Sequence, residues 1–97
     1  MKHLEVGKNC HRCFLYQIGT VWHHVIHEVR VVLQHESLGT FFESPAGGYR
    51  SARHGELHDS EVSAKRFALD FLRKARESDQ QQISRLEKDL QTDTVVG

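Results

Sequence analysis

Proline, cysteine and long apolar runs are scarce in this sequence, which has one proline and two cysteines among 97 residues. A membrane-spanning helix needs roughly 20 consecutive apolar residues, so the sequence predicts none. The start, MKHLEVGKNC, lacks the apolar stretch of a secretory signal, and we therefore expect a cytoplasmic protein with reduced thiols. Single cores commonly occupy roughly 100 to 150 residues, which predicts one domain over residues 1–97.

Net charge is also absent, because thirteen Lys and Arg residues are balanced by thirteen Asp and Glu. This balance removes the broad positive field that is typical of nucleic-acid-binding proteins, so nucleic acid is a secondary candidate partner. All eight histidines lie within residues 1–58. Unperturbed imidazoles titrate near pH ~6.5, so these histidines are either a pH-dependent switch or a set of solvated surface residues.

Glycine and proline are absent between Asp59 and the last residue, and this segment has the pattern of a helix. Asp59 or Ser60 fits a helix N-cap, and Glu61 favours the positive end of the helix dipole. The pattern predicts a C-terminal helix over 59–91 and a flexible tail over 92–97. The apolar residues that share one face of this helix, expected to face the core, are Ala64, Phe67, Ala68, Phe71, Leu72 and Ala75.

The length of this predicted helix raises a packing problem. A single helix over 60–91 would be roughly 48 Å long, whereas a compact chain of about 100 residues has a radius of gyration of ~13 Å. An apolar stripe of Ile83, Leu86 and Leu90 follows the polar segment ESDQQQ and would stay exposed in a monomer. The stripe predicts a homodimer interface or a partner contact; the alternative is a helix that breaks near Ser78 and folds back.

The first half of the chain has the composition of strands and turns. By periodicity alone, residues 21–33 fit either an amphipathic helix or a strand. Five valines and one isoleucine in this stretch favour the strand. Short turns between successive strands predict an antiparallel meander. We expect strands at 12–18, 25–33, 40–43 and 55–58, with turns at Gly19, around Gly39 and in SPAGG.

Two segments resemble known kinds of protein. LEVGKNC, the strand after it, the turn at Gly19 and VIHEVRVV resemble the opening of small SH3-like barrels of the KOW and Tudor type. Over residues 4–58 this resemblance implies a small antiparallel barrel or meander, packed on the long C-terminal helix, and hence an α+β fold. No cluster maps onto a methyl-lysine cage or an RNA-binding face, so neither function is carried over.

The second segment, GELHDSEVSAKRFALDFL, is similar to the end of many small phage-encoded proteins, in which a short strand runs into a capped helix. This likeness implies an accessory protein of a phage or mobile element that docks on a host complex. An inhibitor of host defence, of the anti-CRISPR kind, is the narrower form of the same expectation.

The segment CHRC raises the question of a zinc site. A finger of the common type has about twelve residues between its ligand pairs and a helix that carries both histidines. Here the histidines fall in a predicted strand, where residues four apart are separated by about 13 Å. We therefore expect no metal ligand and no cofactor, with a zinc-stabilised domain as an alternative. Its ligands would be Cys10 and Cys13, with His23 and His27 in the pattern C-x2-C-x9-H-x3-H or with His54 and His58.

Catalytic motifs are not recognisable in the sequence. It has no glycine-rich phosphate loop and no serine-centred nucleophile motif, and its N-terminal glutamates are scattered. A nucleophilic cysteine needs a positioned base or cation, and in a strand His11 and Arg12 point away from at least one of the thiols. We therefore expect a protein that is not an enzyme.

The segment FFESPAGGYRSARHGE combines aromatic and arginine side chains, which are enriched in the energetically dominant positions of protein interfaces. It predicts a protein-binding module. In the alternative, one Phe and the Tyr are buried in the core, and only the arginines are exposed. A small nucleic-acid-binding module that uses Arg50, Arg53 and the histidines is the second candidate. The predicted partner-binding residues are Phe41, Phe42, Tyr49, Arg50 and Arg53.

Overall fold

The computed structural model describes residues 4–96, and the side chains of 4–92. The chain is α+β, with a five-stranded sheet and two helices, which confirms the predicted class. No helix within 4–96 is long and apolar enough to cross a membrane. Of the tail predicted over 92–97, all but the last residue belongs to the final helix, and Gly97 lies outside the described range. The elements are β1 (Asn9–Ile18), β2 (Val21–His35), β3 (Gly39–Glu43), β4 (Tyr49–Ser51), β5 (Leu57–His58), α1 (Glu61–Lys74) and α2 (Gln80–Val96).

The sheet is antiparallel throughout, in the order β4-β3-β2-β1-β5. Strands β1 to β4 follow chain order, as the predicted meander requires, and β5 returns to the far side of β1. The β-branched residues of β2 explain why this segment, ambiguous by periodicity, is a strand. The sequence pattern does not predict β4, whose three residues are all exposed.

Strand β2 is longer than its neighbours and passes from one partner strand to another. Its first part pairs with β1 from Val21 to Arg30, across a two-residue turn that begins at Gly19 with φ 66°. Strand β3 pairs with β2 only from Val31 onward, and a bulge follows before Leu33. Between the hairpin turn and Val31, β2 therefore has a neighbouring strand on one side only within residues 4–96.

Helix α1 begins where the sequence predicts it, because Ser60 caps it. The Ser60 hydroxyl accepts a hydrogen bond from the backbone N–H of Ser63 at 3.1 Å. The helix packs on the β1–β2 hairpin, where the Phe71 ring meets the Trp22 indole edge to face at 4.8 Å between centroids. Three of its buried residues, Ala64, Ala68 and Leu72, belong to the predicted core face, whereas the fourth, Leu69, does not. Phe67 and Phe71 of the predicted face are partly buried.

The prediction of one long C-terminal helix is wrong, because α1 and α2 are separate helices joined by residues 75–79. Asp79 begins the second helix: its carboxylate accepts a hydrogen bond from the backbone N–H of Gln81 at 2.9 Å. The Ser78 hydroxyl donates to the backbone carbonyl of Leu72 at 2.7 Å and holds the connection against the end of α1. The alternative of a break near Ser78 is therefore the arrangement found, and it lets α2 fold back on the rest of the chain.

The stripe of Ile83, Leu86 and Leu90 lies inside the chain's own core. Ile83 is 9% exposed and Leu86 3%, and Leu90 packs against the same cluster. The homodimer interface was inferred from the exposure of this stripe, and that premise is wrong because α2 folds back on α1 and the hairpin. The geometry thus removes the argument for dimerisation through these three residues.

Two apolar clusters lie on opposite faces of the sheet. The inner cluster, between the hairpin and the helices, contains Cys13, Ala68 and Leu86. The outer cluster, on the face away from the helices and near β3, contains Cys10 and Phe42. The predicted barrel is wrong, since β4 and β5 are the two edges of an open sheet and do not pair. The helices cover the inner face, so the apolar side chains there are buried without closure of the sheet.

Candidate binding surface

The residues predicted to form one partner surface lie on two faces of the sheet. Phe42 is fully buried in the outer cluster, and Arg50 lies opposite it on β4. Tyr49 is 70% exposed and lies opposite Glu43, so it shares the other face with Phe41. The structure therefore separates Tyr49 from Arg50 and leaves Phe42 without a surface to offer a partner.

Arg53, the last of the predicted binding residues, is exposed in the turn before β5, and its backbone is tied to Glu56. Its N–H donates to the Glu56 carboxylate at 2.9 Å, and its carbonyl accepts from the Glu56 N–H at 3.1 Å. The same carboxylate forms an ion pair with Arg12 on β1, and both of these side chains are only 11% exposed. Glu56 thus organises the turn, whereas the Arg53 side chain is not part of that network.

Cys10 and Cys13 lie on opposite faces of β1, since residues three apart in a strand point to opposite sides. Cys10 is 2% exposed in the outer cluster, and Cys13 is 3% exposed in the inner cluster. Burial raises the pKa of each thiol to about 11, so both stay protonated at neutral pH. The two sulfurs cannot share a metal ion in this fold. Within the described residues, no group of three or more His, Cys, Asp or Glu side chains is placed to hold one.

The β1–β2 hairpin presents a surface that the helices do not cover. Its inner-facing side chains, such as Leu15 and Ile26, pack against the helices, so their immediate neighbours in each strand face outward. Directly opposite pairs on the outward side join Phe14 to Val25 and Tyr16 to His23. We call this surface the hairpin face, and its residues are Arg12, Phe14, Tyr16, His23, Val25 and His27.

Flat side chains are stacked along the hairpin face in a continuous row. The rings of Phe14 and Tyr16 are nearly parallel, with centroids 5.9 Å apart, and those of Tyr16 and His23 are 5.5 Å apart. The Arg12 guanidinium lies 4.5 Å from the Phe14 centroid and 5.0 Å from that of Phe42. The row therefore extends from the buried outer cluster towards the hairpin turn, and each ring supports the next.

Apolar surface remains exposed at the centre of the hairpin face. Phe14 is 41% exposed and its partner Val25 is 40% exposed, although they form a direct cross-strand pair. Ile18, on the same side of β1 next to the turn, is 63% exposed. Three large apolar side chains on one side of a two-stranded ribbon form a coherent patch, unlike the single exposed residues that are normal on protein surfaces.

Charge on the hairpin face is neutralised. Arg12 is the permanent cation among its six residues, and the Glu56 carboxylate pairs with it. His27 lies with its Nε2 3.5 Å from Nη1 of Arg12. Burial, aided by the Arg12 charge, lowers the pKa of His27, so its ring is neutral at pH 7. The patch is thus aromatic, aliphatic and without net charge.

Gln82 of α2 fixes the edge of the hairpin beside this face. Its side-chain oxygen accepts from the backbone N–H of His24 at 2.8 Å. Its amide nitrogen donates to Nδ1 of His23 at 2.6 Å and to the Asp79 carboxylate at 3.3 Å. Hydrogen bonds, chiefly from the backbone of Gln81, lower the pKa of Asp79, so this carboxylate is ionised at neutral pH.

One serine and one histidine are close enough to suggest catalysis, and their surroundings argue against it. Nδ1 of His58 lies 2.8 Å from the Ser63 hydroxyl, and Nε2 donates to the carbonyl of Gly55 at 2.7 Å. The imidazole packs on the Phe67 ring at 5.3 Å between centroids. Both nitrogens are engaged and one ring face is covered, so the pair serves to join β5, the preceding turn and α1.

The sequence contains a signal for the hairpin face that lies in strand alternation and not in a motif. Arg12, Phe14 and Tyr16 alternate with Cys13 and Leu15, so both sides of β1 carry large side chains. In a strand with one solvated face, alternate residues are normally polar. A second apolar side therefore indicates a covered or binding surface. Composition alone favours the loop aromatics, because it does not distinguish the two faces of a strand.

Comparison with known proteins adds no relative: no protein-family model, no curated protein and no solved structure matches the chain. The fold and the hairpin face are therefore the basis on which a function can be argued.

Proposed function

We propose that this protein is a non-enzymatic protein-binding module and that the hairpin face is its docking surface. The observation that carries the proposal is the exposed pair of Phe14 and Val25, which the chain leaves uncovered although it buries Ile83 and Leu86. Aromatic and aliphatic side chains at the centre of a patch, with polar groups at its rim, are typical of the core of protein interfaces.

The arrangement of the rings favours a protein over single-stranded nucleic acid. Base stacking needs an aromatic face that is free to receive a base. The rings of Phe14, Tyr16 and His23 already stack on one another, and the Arg12 guanidinium lies over the Phe14 ring, so the ring faces within this row are covered. Phosphate contacts need unpaired cations, and Arg12 is paired with Glu56. The surface therefore lacks both elements of a nucleic-acid site.

A nucleic-acid-binding module that uses Arg50 and Arg53 is the second candidate. Both side chains are exposed. Arg50 lies on β4 and Arg53 in the turn after it, so neither belongs to the hairpin face. Two arginines on a chain with no net charge give weak electrostatic attraction, which is why this function ranks second.

The expectation of a phage or mobile-element accessory protein, or of a host-defence inhibitor, depends on sequence resemblance alone. It indicates where to look for the partner, namely among the proteins of a bacterial host. The proposed binding module does not require it.

Capture from a bacterial lysate on the immobilised protein tests the proposal with two matched double variants. Phe14→Ser with Val25→Ser removes the apolar patch, and we expect it to lose the captured protein. Leu33→Ser with Tyr49→Ser removes exposed apolar side chains elsewhere on the sheet, which are 44% and 70% exposed, and we expect it to retain that protein. Circular dichroism and thermal melting confirm that both variants fold.

The contrary outcomes are equally specific. Loss of the captured protein from the Leu33 and Tyr49 variant alone would place the docking surface on the other face. Binding of fluorescent single-stranded DNA or RNA that weakens steeply with salt and disappears in Arg50→Ala with Arg53→Ala would establish the second candidate.

A further inference from the structure

One stretch of β2 lies at the edge of the sheet without a neighbour. From Val21 to Arg30, β1 supplies the hydrogen bonds on one side, and β3 begins to pair on the other side only at Val31. The chain itself closes both ends of this opening. At one end Trp22 donates to the carbonyl of Glu77 at 3.0 Å and accepts from the N–H of Asp79 at 3.3 Å. At the other end lies β3.

The bonds of Trp22 show which backbone groups face the opening. Its N–H and C=O both point away from β1, and in an antiparallel strand every second residue repeats this direction. His24 follows the rule, because its N–H donates to Gln82 on the same side at 2.8 Å. Ile26 and Glu28 are next in the series. The N–H and C=O groups of Ile26 and Glu28 that point into the opening have no backbone partner within residues 4–96.

We propose that the opening in β2 between His24 and Arg30 receives an extended segment of the partner protein, which adds to the sheet as a strand. This inference rests on the proposed function and specifies the partner's conformation. The opening is about 20 Å long at ~3.3 Å per residue, which suits a segment of about five or six residues. Unpaired edge groups in regular spacing are complementary to an extended backbone and not to a helix.

A short segment fits the opening better than a second copy of β2 does. β2 is a continuous strand of 15 residues. A second copy paired through the same edge would run into the connection near Ser78 at one end and into β3 at the other. A loop or a chain terminus can bend away at both ends. The occupant is therefore a short extended peptide from another protein.

The side chains beside the opening define the sequence of that peptide. On the outward side, Val25 and His27 would flank the added strand, and Phe14 lies one strand further. Apolar side chains at alternate positions of the peptide would extend the exposed patch of Phe14 and Val25, which are about equally exposed at 41% and 40%. On the inward side His24 and Glu28 lie on either side of the partly buried Ile26, so polar residues of the peptide fit opposite these two. The peptide has alternating apolar and polar residues and no proline at the bonded positions.

Substitution by proline at an edge position removes a backbone N–H, so it tests whether the peptide binds through the backbone of β2 or through side chains alone. Glu28 is exposed and its N–H points into the opening, so Glu28→Pro removes one edge donor and leaves the bonds to β1 intact. Glu28→Thr removes the same carboxylate and keeps the N–H. Gln17→Pro is the second control, because the Gln17 N–H points away from β2 on the opposite edge of the hairpin.

The probe is a displayed library of random dodecapeptides, selected on the wild-type protein. We expect enriched peptides with alternating apolar residues, which bind Glu28→Thr and Gln17→Pro as they bind wild type and bind Glu28→Pro about tenfold more weakly. In the complex the amides of Ile26 and Glu28 become protected from hydrogen exchange. Circular dichroism shows that each variant is folded.

Other outcomes contradict strand addition. If the peptides bind Glu28→Pro as they bind wild type but do not bind the Phe14→Ser and Val25→Ser variant, the hairpin face binds them without the edge. The proposed function then stands, and strand addition is contradicted. Equal binding to all variants places the peptide elsewhere and contradicts both. The absence of any enriched peptide contradicts strand addition, and the lysate capture then decides the proposed function independently.

Discussion

The side-chain oxygen of Gln82 accepts a hydrogen bond from the backbone N–H of His24 at 2.8 Å, and by this bond α2 closes part of the open edge of β2. An amide side chain thus takes the place of a neighbouring strand at this position. The same amide fixes the helix start through Asp79 at 3.3 Å. Helix placement and hairpin position are therefore coupled through one residue.

Gln82→Ala is expected to destabilise the protein by about 1 to 3 kcal/mol, because it leaves the half-buried N–H of His24 without its acceptor. Urea unfolding followed by circular dichroism measures the change. Gln81→Ala is the control: Gln81 is exposed on the same turn, and its side chain makes no hydrogen bond to the hairpin among the described contacts, so its effect should stay within about 0.5 kcal/mol. Equal effects of the two changes would show that the Gln82 bonds do not support the hairpin.

Leu86→Ala is expected to cost about 2 to 5 kcal/mol of unfolding free energy, since Leu86 is 3% exposed in the inner cluster. The neighbouring Arg85 is exposed, and Arg85→Ala should have little effect. Replacing Ile83, Leu86 and Leu90 together by Ser should unfold the chain. Sedimentation equilibrium gives the oligomeric state of the parent and of the triple variant. If the parent is a dimer and the triple variant is a folded monomer, these three residues form the dimer interface that the sequence predicted.

Gly55→Ala is expected to destabilise the protein more than Gly48→Ala does. Both glycines have left-handed φ angles, 79° and 77°, so the backbone strain is matched. A Cβ at Gly55 would collide with the Phe67 ring, whereas a Cβ at Gly48 meets nothing within 4 Å. The difference between the two melting temperatures measures the clash with Phe67. In a Phe67→Leu background this difference should be smaller. Equal melting temperatures would mean that α1 does not lie against this turn.

Acidification is expected to destabilise the protein through His27, whose pKa is lowered by burial and by Arg12, with Glu56 acting in the opposite direction. The unfolded chain then binds a proton more readily than the folded one. The stability that His27 contributes is therefore present above its ordinary pKa of 6.5 and is lost as the pH falls below it. Urea unfolding between pH 7 and pH 5 should show a shallower pH slope for His27→Gln than for wild type. His54→Gln, at an exposed side chain, is the control for the loss of one imidazole, and equal slopes for His27→Gln and wild type would contradict this account.

The sequence predicted the α+β class, the helix start at Ser60 and most strands, because these follow from local composition and capping. It gave a break near Ser78 only as the alternative to one long helix, although Ser78 and Asp79 are good capping residues within the segment ESDQQQ. The break is favoured by burial of Ile83 and Leu86 against the hairpin, a tertiary contact that a helical pattern does not contain. The same fold-back buries the stripe whose exposure was the reason for predicting a dimer.

The candidate site was harder to predict because the exposure of a strand residue depends on where each apolar cluster ends. Phe42 and Phe14 are both aromatic strand residues, yet the first is fully buried and the second is 41% exposed. The difference arises from the outer cluster, which fills the sheet near β3 and ends before the hairpin turn. A single sequence gives the alternation of a strand but not the position at which a core ends.

Hydrogen exchange with mass spectrometry, on the free protein and on its complex with the captured protein, locates the surface that binds the partner. We expect slower exchange on binding in the segments that carry the hairpin face and the open edge, residues 12–28. We expect no change over 39–53, where the sequence placed the binding residues. Protection centred on 39–53 or on α2, with residues 12–28 unaffected, would contradict the claim that this protein binds its partner through the hairpin.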